Sequence, residues 1–249
     1  MSDDELEEGP PLPLTNSTLL GQAEAEANFL SSFNSGKLPH AWLLWGPRGI
    51  GKATLAYRIA RFILTKGGGA DDGPGLFGDD LPQTDPSSLA TDIDDPVCRR
   101  IIAGGHADFL KIERSVDEKT GKRRKEITVD EVRAVGSFLS MTPAEGGWRV
   151  VVIDSADEMN ANAANAVLKV LEEPPKRALL LLVSHNPGRL LPTIRSRCRR
   201  LMLKALSEQT VSDLLVQYDP EMLAEDAAEL ASIADGSIGR ALDLSGEGG

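Results

Sequence analysis

The sequence predicts an α/β fold: a parallel sheet flanked by helices, followed by a small helical domain. Three observations carry that prediction. The apolar runs at 150–153 and 179–183 are continuous rather than alternating, as in strands covered on both faces of a parallel sheet. A glycine-rich turn, Gly46-Pro-Arg-Gly-Ile-Gly-Lys52, stands between a strand pattern and a helix pattern. Strand and helix patterns alternate as far as Lys204, and only helical patterns follow.

Taken in order, the chain opens with an acidic, proline-rich stretch that reads as a flexible tail, set at residues 1–18. The core domain is set at 19–205. Its first strand is the short apolar run 41–45, and a helix is expected over 52–64. Residues 67–95 hold Gly-Gly-Gly with several Asp and Pro and little apolar periodicity, and read as a flexible surface insertion. A second strand at 109–113 and a second helix at 129–139 precede the strand at 150–153. Ala164, Val167, Leu168 and Leu171 then fall at i, i+3, i+4 and i+7, one face of a helix that Pro174-Pro175 stops. The strand at 179–183 and a last strand at 199–203 complete the domain. Helices at 207–218, 224–234 and 237–244 form the small helical domain, set at 206–245, and the sequence stops at Glu247-Gly-Gly with no further element.

The bulk numbers exclude several classes. With 249 residues, 41% of them hydrophobic, the chain has material for a sizeable core. It has no apolar run long enough to span a bilayer, and its N-terminus is acidic rather than a positively charged secretory leader, which together point to a cytoplasmic protein. Cys98 and Cys198 are too far apart, and too few, for a disulfide framework or a cysteine-rich zinc module, so no metal is expected. A net charge of −11 makes the surface as a whole a poor match for DNA. His40, His106 and His185 have no metal-ligand spacing and read as structural.

The glycine-rich turn is a phosphate loop (P-loop) in its proper setting. Its glycines let backbone N–H groups turn onto phosphate oxygens, the helix N-terminus adds a positive dipole end, and Lys52 is placed to reach the β- and γ-phosphates. The expected nucleotide-binding residues are Gly46, Pro47, Arg48, Gly49, Ile50, Gly51, Lys52, Ala53, Thr54 and Asp154. Two of the chemistry-bearing positions are altered. A hydroxyl ligand for magnesium belongs directly after the Lys, where Ala53 stands; Thr54, one residue late, is turned by about 100°. Asp154 ends an apolar strand in the manner of a Walker B carboxylate, but the residue after it is Ser155, a poor base at neutral pH. ATP is therefore expected to bind weakly, magnesium only with nucleotide, and hydrolysis by this chain is expected to be slight.

Ala163-Ala-Asn-Ala-Val-Leu-Lys-Val-Leu-Glu-Glu-Pro-Pro175, Leu182-Val-Ser-His-Asn-Pro187 and Leu191-Pro-Thr-Ile-Arg-Ser-Arg-Cys198 closely resemble the AAA+ clamp-loader family of bacterial DNA replication, as do Leu20-Gly-Gln22 and Leu38-Pro-His-Ala41. The resemblance covers roughly residues 19–244. It implies an AAA+ P-loop domain followed by a helical lid, and it makes Ser196-Arg197-Cys198 an interface motif whose Arg197 enters a neighbouring subunit's ATP site as a trans-acting finger. The family's C-terminal collar domain is not expected within this sequence. Family motors of the gamma/tau type carry Lys-Thr or Lys-Ser in the loop, an Asp-Glu pair in Walker B, four zinc-binding cysteines, and an Arg in a Gly-Ser-x-Arg lid element. This chain has Lys52-Ala53, Asp154-Ser155, Cys98 alone in that region, and Gly239 in Gly236-Ser-Ile-Gly239, with Arg240 one residue later.

The resemblance thus implies a non-motor assembly subunit of the DNA polymerase III clamp loader. Its partners would be gamma/tau and delta subunits, and the sliding clamp and primer-template DNA through the complex. The alternative is a gamma/tau-type ATP-hydrolysing motor with unusual motif residues. Smaller features read more plainly. Lys119, Lys122, Arg123, Arg124 and Lys125 surround Thr120-Gly121 and fit a solvated basic turn better than a DNA contact. Arg189, Arg195, Arg197, Arg199 and Arg200 form a denser cluster that fits a subunit interface. Ser184 either holds the family's sensor position or simply ends its strand.

Overall fold

The computed structural model describes residues 9–67, 85–117, 120–145 and 147–246. The start of the expected tail, most of the 67–95 insertion, Lys119 and the final Glu247-Gly-Gly lie outside the described residues. In chain order the elements are α1 (Ala23–Asn34), β1 (Ala41–Trp45), α2 (Lys52–Lys66), α3 (Pro96–Ile102), β2 (Phe109–Ile112), α4 (Val129–Ser140), β3 (Arg149–Ile153), α5 (Ala161–Glu172), β4 (Ala178–Ser184), α6 (Pro192–Arg197), β5 (Arg199–Met202), α7 (Glu208–Tyr218), α8 (Ala224–Ile233) and α9 (Ile238–Ser245). Among the described residues no helix is long and apolar enough to cross a membrane.

The five strands form one parallel sheet in the order β2-β3-β4-β1-β5. β3 and β4 are buried along their whole length, which is why their sequences run apolar without alternation. Successive side chains still point to opposite faces. Trp42, Leu44, Val150, Val152, Leu179 and Leu181 join a core with α1 and α2, whereas Leu43, Val151, Ile153, Leu180 and Leu182 join one with α4, α5 and α6. Helix α2 is so deeply placed between sheet and N-terminal segment that every residue from Thr54 to Ile63 is buried, two arginines included.

α7, α8 and α9 close over a third apolar cluster of their own, built from Leu206, Val211, Leu214, Leu215, Ala227, Ala231, Ala234 and Ala241. Their starts follow ordinary capping rules: the Ser207 hydroxyl accepts the Thr210 N–H, and the Ser237 hydroxyl accepts the Arg240 N–H.

Two flanking segments depart from the sequence reading. The tail expected over 1–18 is anchored at its end. The buried Arg61 guanidinium donates to the carbonyls of Leu14 (2.6 Å) and Asn16 (2.8 Å), Arg58 donates to the Ser17 carbonyl, and the Asn16 amide donates to the Tyr218 hydroxyl (3.1 Å). The insertion expected over 67–95 also ends on the core: Leu89 is fully buried and the Pro86 carbonyl accepts from Asn34 (3.1 Å). In both cases apolar or carbonyl groups in a polar-looking stretch find partners on α1 and α2, which periodicity within the stretch does not reveal. Helices α1, α3 and α6 also went unread, the last two because six- and seven-residue helices show too few turns for a period.

Candidate functional site

The C-terminal ends of β1, β3 and β4 meet at one edge of the sheet, where an open α/β sheet presents its crevice. The phosphate loop leaves β1 here. Gly46, Gly49 and Gly51 have φ of 151°, 68° and 91°, a backbone path that a side chain would strain. A Cβ on Gly46 would also stand 2.5 Å from the Leu203 carbonyl oxygen. Gly51 is the residue from which α2 starts, so the first-turn N–H groups of α2 and the loop face the same space.

Lys52 is buried, and its ammonium donates to the Pro47 carbonyl across the loop. Burial pulls the lysine down to about 8, although the charges of Asp157 and Asp154 oppose the shift. Ile50 is buried, and its carbonyl accepts from the Gln22 amide (3.1 Å). Arg48 projects outward and pairs with Glu158 at 2.9 Å. Ala53 offers only a methyl group, and Thr54 is buried in α2, so neither supplies an exposed hydroxyl beside Lys52.

Asp154 follows β3. Burial and then the nearby Glu113 push its carboxyl up, against the backbone hydrogen bond from Ser155 and the charge of Lys52. The donor set therefore fits a phosphate group better than a magnesium ion: the cradle is present, and the hydroxyl that would ligate the metal is missing.

Ser155 has left-handed backbone (φ 59°), and its hydroxyl shares a hydrogen bond with His185 Nε2 at 3.2 Å. Burial and the Lys52 charge pull His185 down to about 4, so the ring is neutral near pH 7. Asp157 accepts the N–H groups of His185 (2.9 Å) and Asn186 (3.1 Å), closing the end of β4. Burial alone would raise its carboxyl, but the His185 N–H and the other hydrogen bonds outweigh it and leave the group lowered. Ser184 is fully buried opposite Trp45.

Sequence reasoning missed two contacts. Asp157 and Glu158 lie past Ser155, where residue order alone offers neither as a neighbour of the loop. Asp157 stays close enough for its charge to act on Lys52, and Glu158 turns back to Arg48, its other oxygen 2.9 Å from Arg114. The left-handed Ser155 redirects the chain into the short 3-10 turn 156–158, and no residue pattern announces that turn. His185, read as merely structural, bears directly on the position after Asp154.

The second group of expected residues lies apart from the loop, on α6 and the edge strand β5. Cys198 is buried, and burial pushes its thiol up to about 12, so it packs as an apolar residue. Ser196 and Arg197 are exposed. The Arg197 guanidinium donates to the Thr193 carbonyl (3.1 Å) and pairs with Glu172 at the end of α5 (3.0 Å). Arg199 and Arg200 are exposed beside it, while Arg195 is half-buried. The basic turn is a short hairpin: Val116 and Arg123 bridge antiparallel, and Lys122, Arg123, Arg124 and Lys125 are exposed. Among the described residues no group of three His, Cys, Asp or Glu is placed to hold a metal ion.

The family described as "DNA polymerase III, delta subunit" matches residues 82–207, half of the sequence and all of the segment from α3 to β5. The chain belongs to that family. It is 36% identical to the DNA polymerase III subunit delta' of Pseudomonas aeruginosa, over 84% of this chain and 56% of that protein. It is 29% identical to the Bacillus subtilis subunit delta', over 86% of this chain and 56% of that one. The Escherichia coli subunit tau is also 29% identical, over 93% of this chain but only 32% of its own length. The chain thus spans about half the length of the delta' relatives it matches. Among solved structures, the Thermotoga maritima RuvB Holliday junction branch migration motor matches with a TM-score of 0.54 over 94% of this chain and 65% of that one, at 17% identity, which speaks for the AAA+ fold. The fold expected from the sequence, a helix-flanked parallel sheet followed by helical segments, is the one observed.

Proposed function

We propose that this chain is a delta'-type subunit of the DNA polymerase III clamp loader, acting by assembly rather than by turnover of its own. In this reading residues 206–245 form the lid of the AAA+ body, and Ser196, Arg197 and Cys198 lie at the contact with a gamma/tau subunit. Arg197 reaches into that subunit's ATP site. Delta completes the assembly, which opens the sliding clamp for primer-template DNA in the cytoplasm. The observation that carries the reading is the contrast between two sites. The finger residue is exposed on α6 and held by one exposed hydrogen bond and one exposed ion pair, the latter worth about 0–1 kcal/mol, contacts readily exchanged for a phosphate. The chain's own nucleotide site has Ala53 and Ser155 where a motor needs a hydroxyl and a carboxylate. Nucleotide, if taken up, is held weakly through backbone N–H groups and Lys52. A motor of the gamma/tau type would need a base near Ser155. The neutral His185 stands there but is engaged with the Ser155 hydroxyl.

A guanidinium is permanently charged and planar, suited to the charge that builds on a transferring γ-phosphate, and a fully engaged finger is worth about 10³ to 10⁵ in rate. The test is reconstitution of the Arg197→Ala subunit with gamma/tau and delta, clamp and primed DNA. Assembly should persist while clamp loading is severely impaired. Because other sites in the assembly keep their fingers, total ATP turnover should fall by less than the single-site factor. Wild-type turnover and loading together would remove Arg197 from this role.

A further inference from the structure

Gly239 is the second residue of α9, a position where most residues would serve a helix better than glycine. Its surroundings explain the choice. The Gly239 N–H donates to the Gly49 carbonyl of the phosphate loop at 3.1 Å. A Cβ on Gly239 would stand 2.9 Å from the Gly49 Cα, and a Cβ on Gly49 would meet the Gly239 N and Cα at 2.9 Å and the Ser237 hydroxyl at 2.3 Å. Bare backbone therefore lies on bare backbone, and neither glycine has room for one carbon more. Supporting contacts surround this one. The Gln22 amide donates to the carbonyls of both Ile50 in the loop and Lys204 in the connection to α7. Gly236, at φ +72°, folds against the same connection, where a Cβ would stand 2.4 Å from the Leu206 carbonyl oxygen.

We infer that the Gly49–Gly239 contact is a backbone latch that holds the three-helix unit closed on the phosphate loop without any nucleotide. In this molecule the loop and α9 are joined by main chain, so their relative position is set by the sequence and not by what the loop binds. The inference stands independently of the role of Arg197.

The latch reverses the sign that helix propensity predicts. Glycine to alanine inside a helix ordinarily stabilises; here the added methyl has only the Gly49 backbone to meet. The experiment is hydrogen–deuterium exchange and thermal melting of the whole chain, as wild type, Gly239→Ala, and Asp243→Ala as the control at an exposed position of the same helix. The expected result is a Tm unchanged or raised in Asp243→Ala and lowered in Gly239→Ala. In the latter, exchange should quicken by about tenfold or more at residues 46–53 and 237–242, while β3 and β4 keep wild-type protection. In the wild type, adding ATP with magnesium should leave exchange at 237–242 unchanged. That arm needs no variant to fold. Wild-type or slower exchange in Gly239→Ala, or clear protection of 237–242 by ATP in the wild type, would overturn the latch.

Discussion

His185 shows how much of the site depends on single side chains whose surroundings differ from water. Its ring is half-buried, and burial together with the Lys52 charge pulls it down to about 4, whereas an unfolded histidine titrates near 6.5. Between those values the unfolded chain binds a proton that the folded chain refuses, so this residue makes stability rise with pH across the window from 4 to 6.5. Its contribution is fully present above pH 6.5 and is lost as the pH falls toward 4. Denaturant titrations of wild type and His185→Gln across that window should diverge, with the variant's curve flatter by up to about 2 kcal/mol once solvent screening of the half-exposed ring is taken off the full linkage value. Parallel curves would place His185 in a more solvated setting. Comparing the two chains cancels the shift of Asp154, whereas the part of the Asp157 shift that His185 causes belongs to the difference. The sequence offers His185 as one of three histidines without metal spacing; only the fold brings it against Ser155 and Lys52.

At the scale of elements, α4 was legible because its apolar residues Val132, Val135 and Leu139 repeat at helical spacing and all prove buried. Its start is fixed by Glu131, whose carboxylate accepts the N–H of Thr128 (2.5 Å) and that of Ser115 (2.9 Å) in the segment leading to the hairpin. The carboxyl is lowered: burial opposes the shift, but the hydrogen bonds from Ser115 and Thr128 outweigh it. One side chain thus ties the helix entry to the base of the basic turn. Glu131→Ala should cost about 1–2 kcal/mol in denaturant unfolding, with local exchange quickened at 115–117 and 128–132. A loss confined to α4, with the hairpin base unaffected, would separate the two hydrogen bonds and reject the tie. Of the helices the sequence left unread, α1 and α6 place their buried residues in the two cores against the sheet, and α3 packs on α2.

For the molecule as a whole, the segment 14–18 serves as a strap. It crosses α2, where Arg61 and Arg58 hold its carbonyls, and reaches the third helical cluster, where Asn16 meets Tyr218 across 202 residues of sequence. Arg61 is fully buried, and its charge is matched by carbonyls rather than by a carboxylate; burial lowers it, yet an arginine stays protonated. Arg61→Ala removes two charge-assisted hydrogen bonds and opens a cavity under the strap, and should cost about 3 kcal/mol. Exchange should rise along 14–18 more than in the sheet. By contrast Arg197→Ala should barely move the melting of the isolated chain, since it gives up only an exposed ion pair and one exposed hydrogen bond. A large loss of stability there would mean that Arg197 serves this chain's own fold.

By itself the sequence determined the sheet-and-helix alternation, the phosphate loop with its missing hydroxyl and carboxylate, and the presence of the Ser-Arg-Cys triplet. These are local properties: apolar period, glycine spacing and residue type can be read within a window of ten or twenty positions. The tertiary structure alone decided that residues 14–18 form a strap, that Glu158 returns to Arg48 across 110 residues, and that Gly239 lies on Gly49. Each of those joins segments that only the strand order β2-β3-β4-β1-β5 brings together, and a residue's type does not say which distant backbone it will meet.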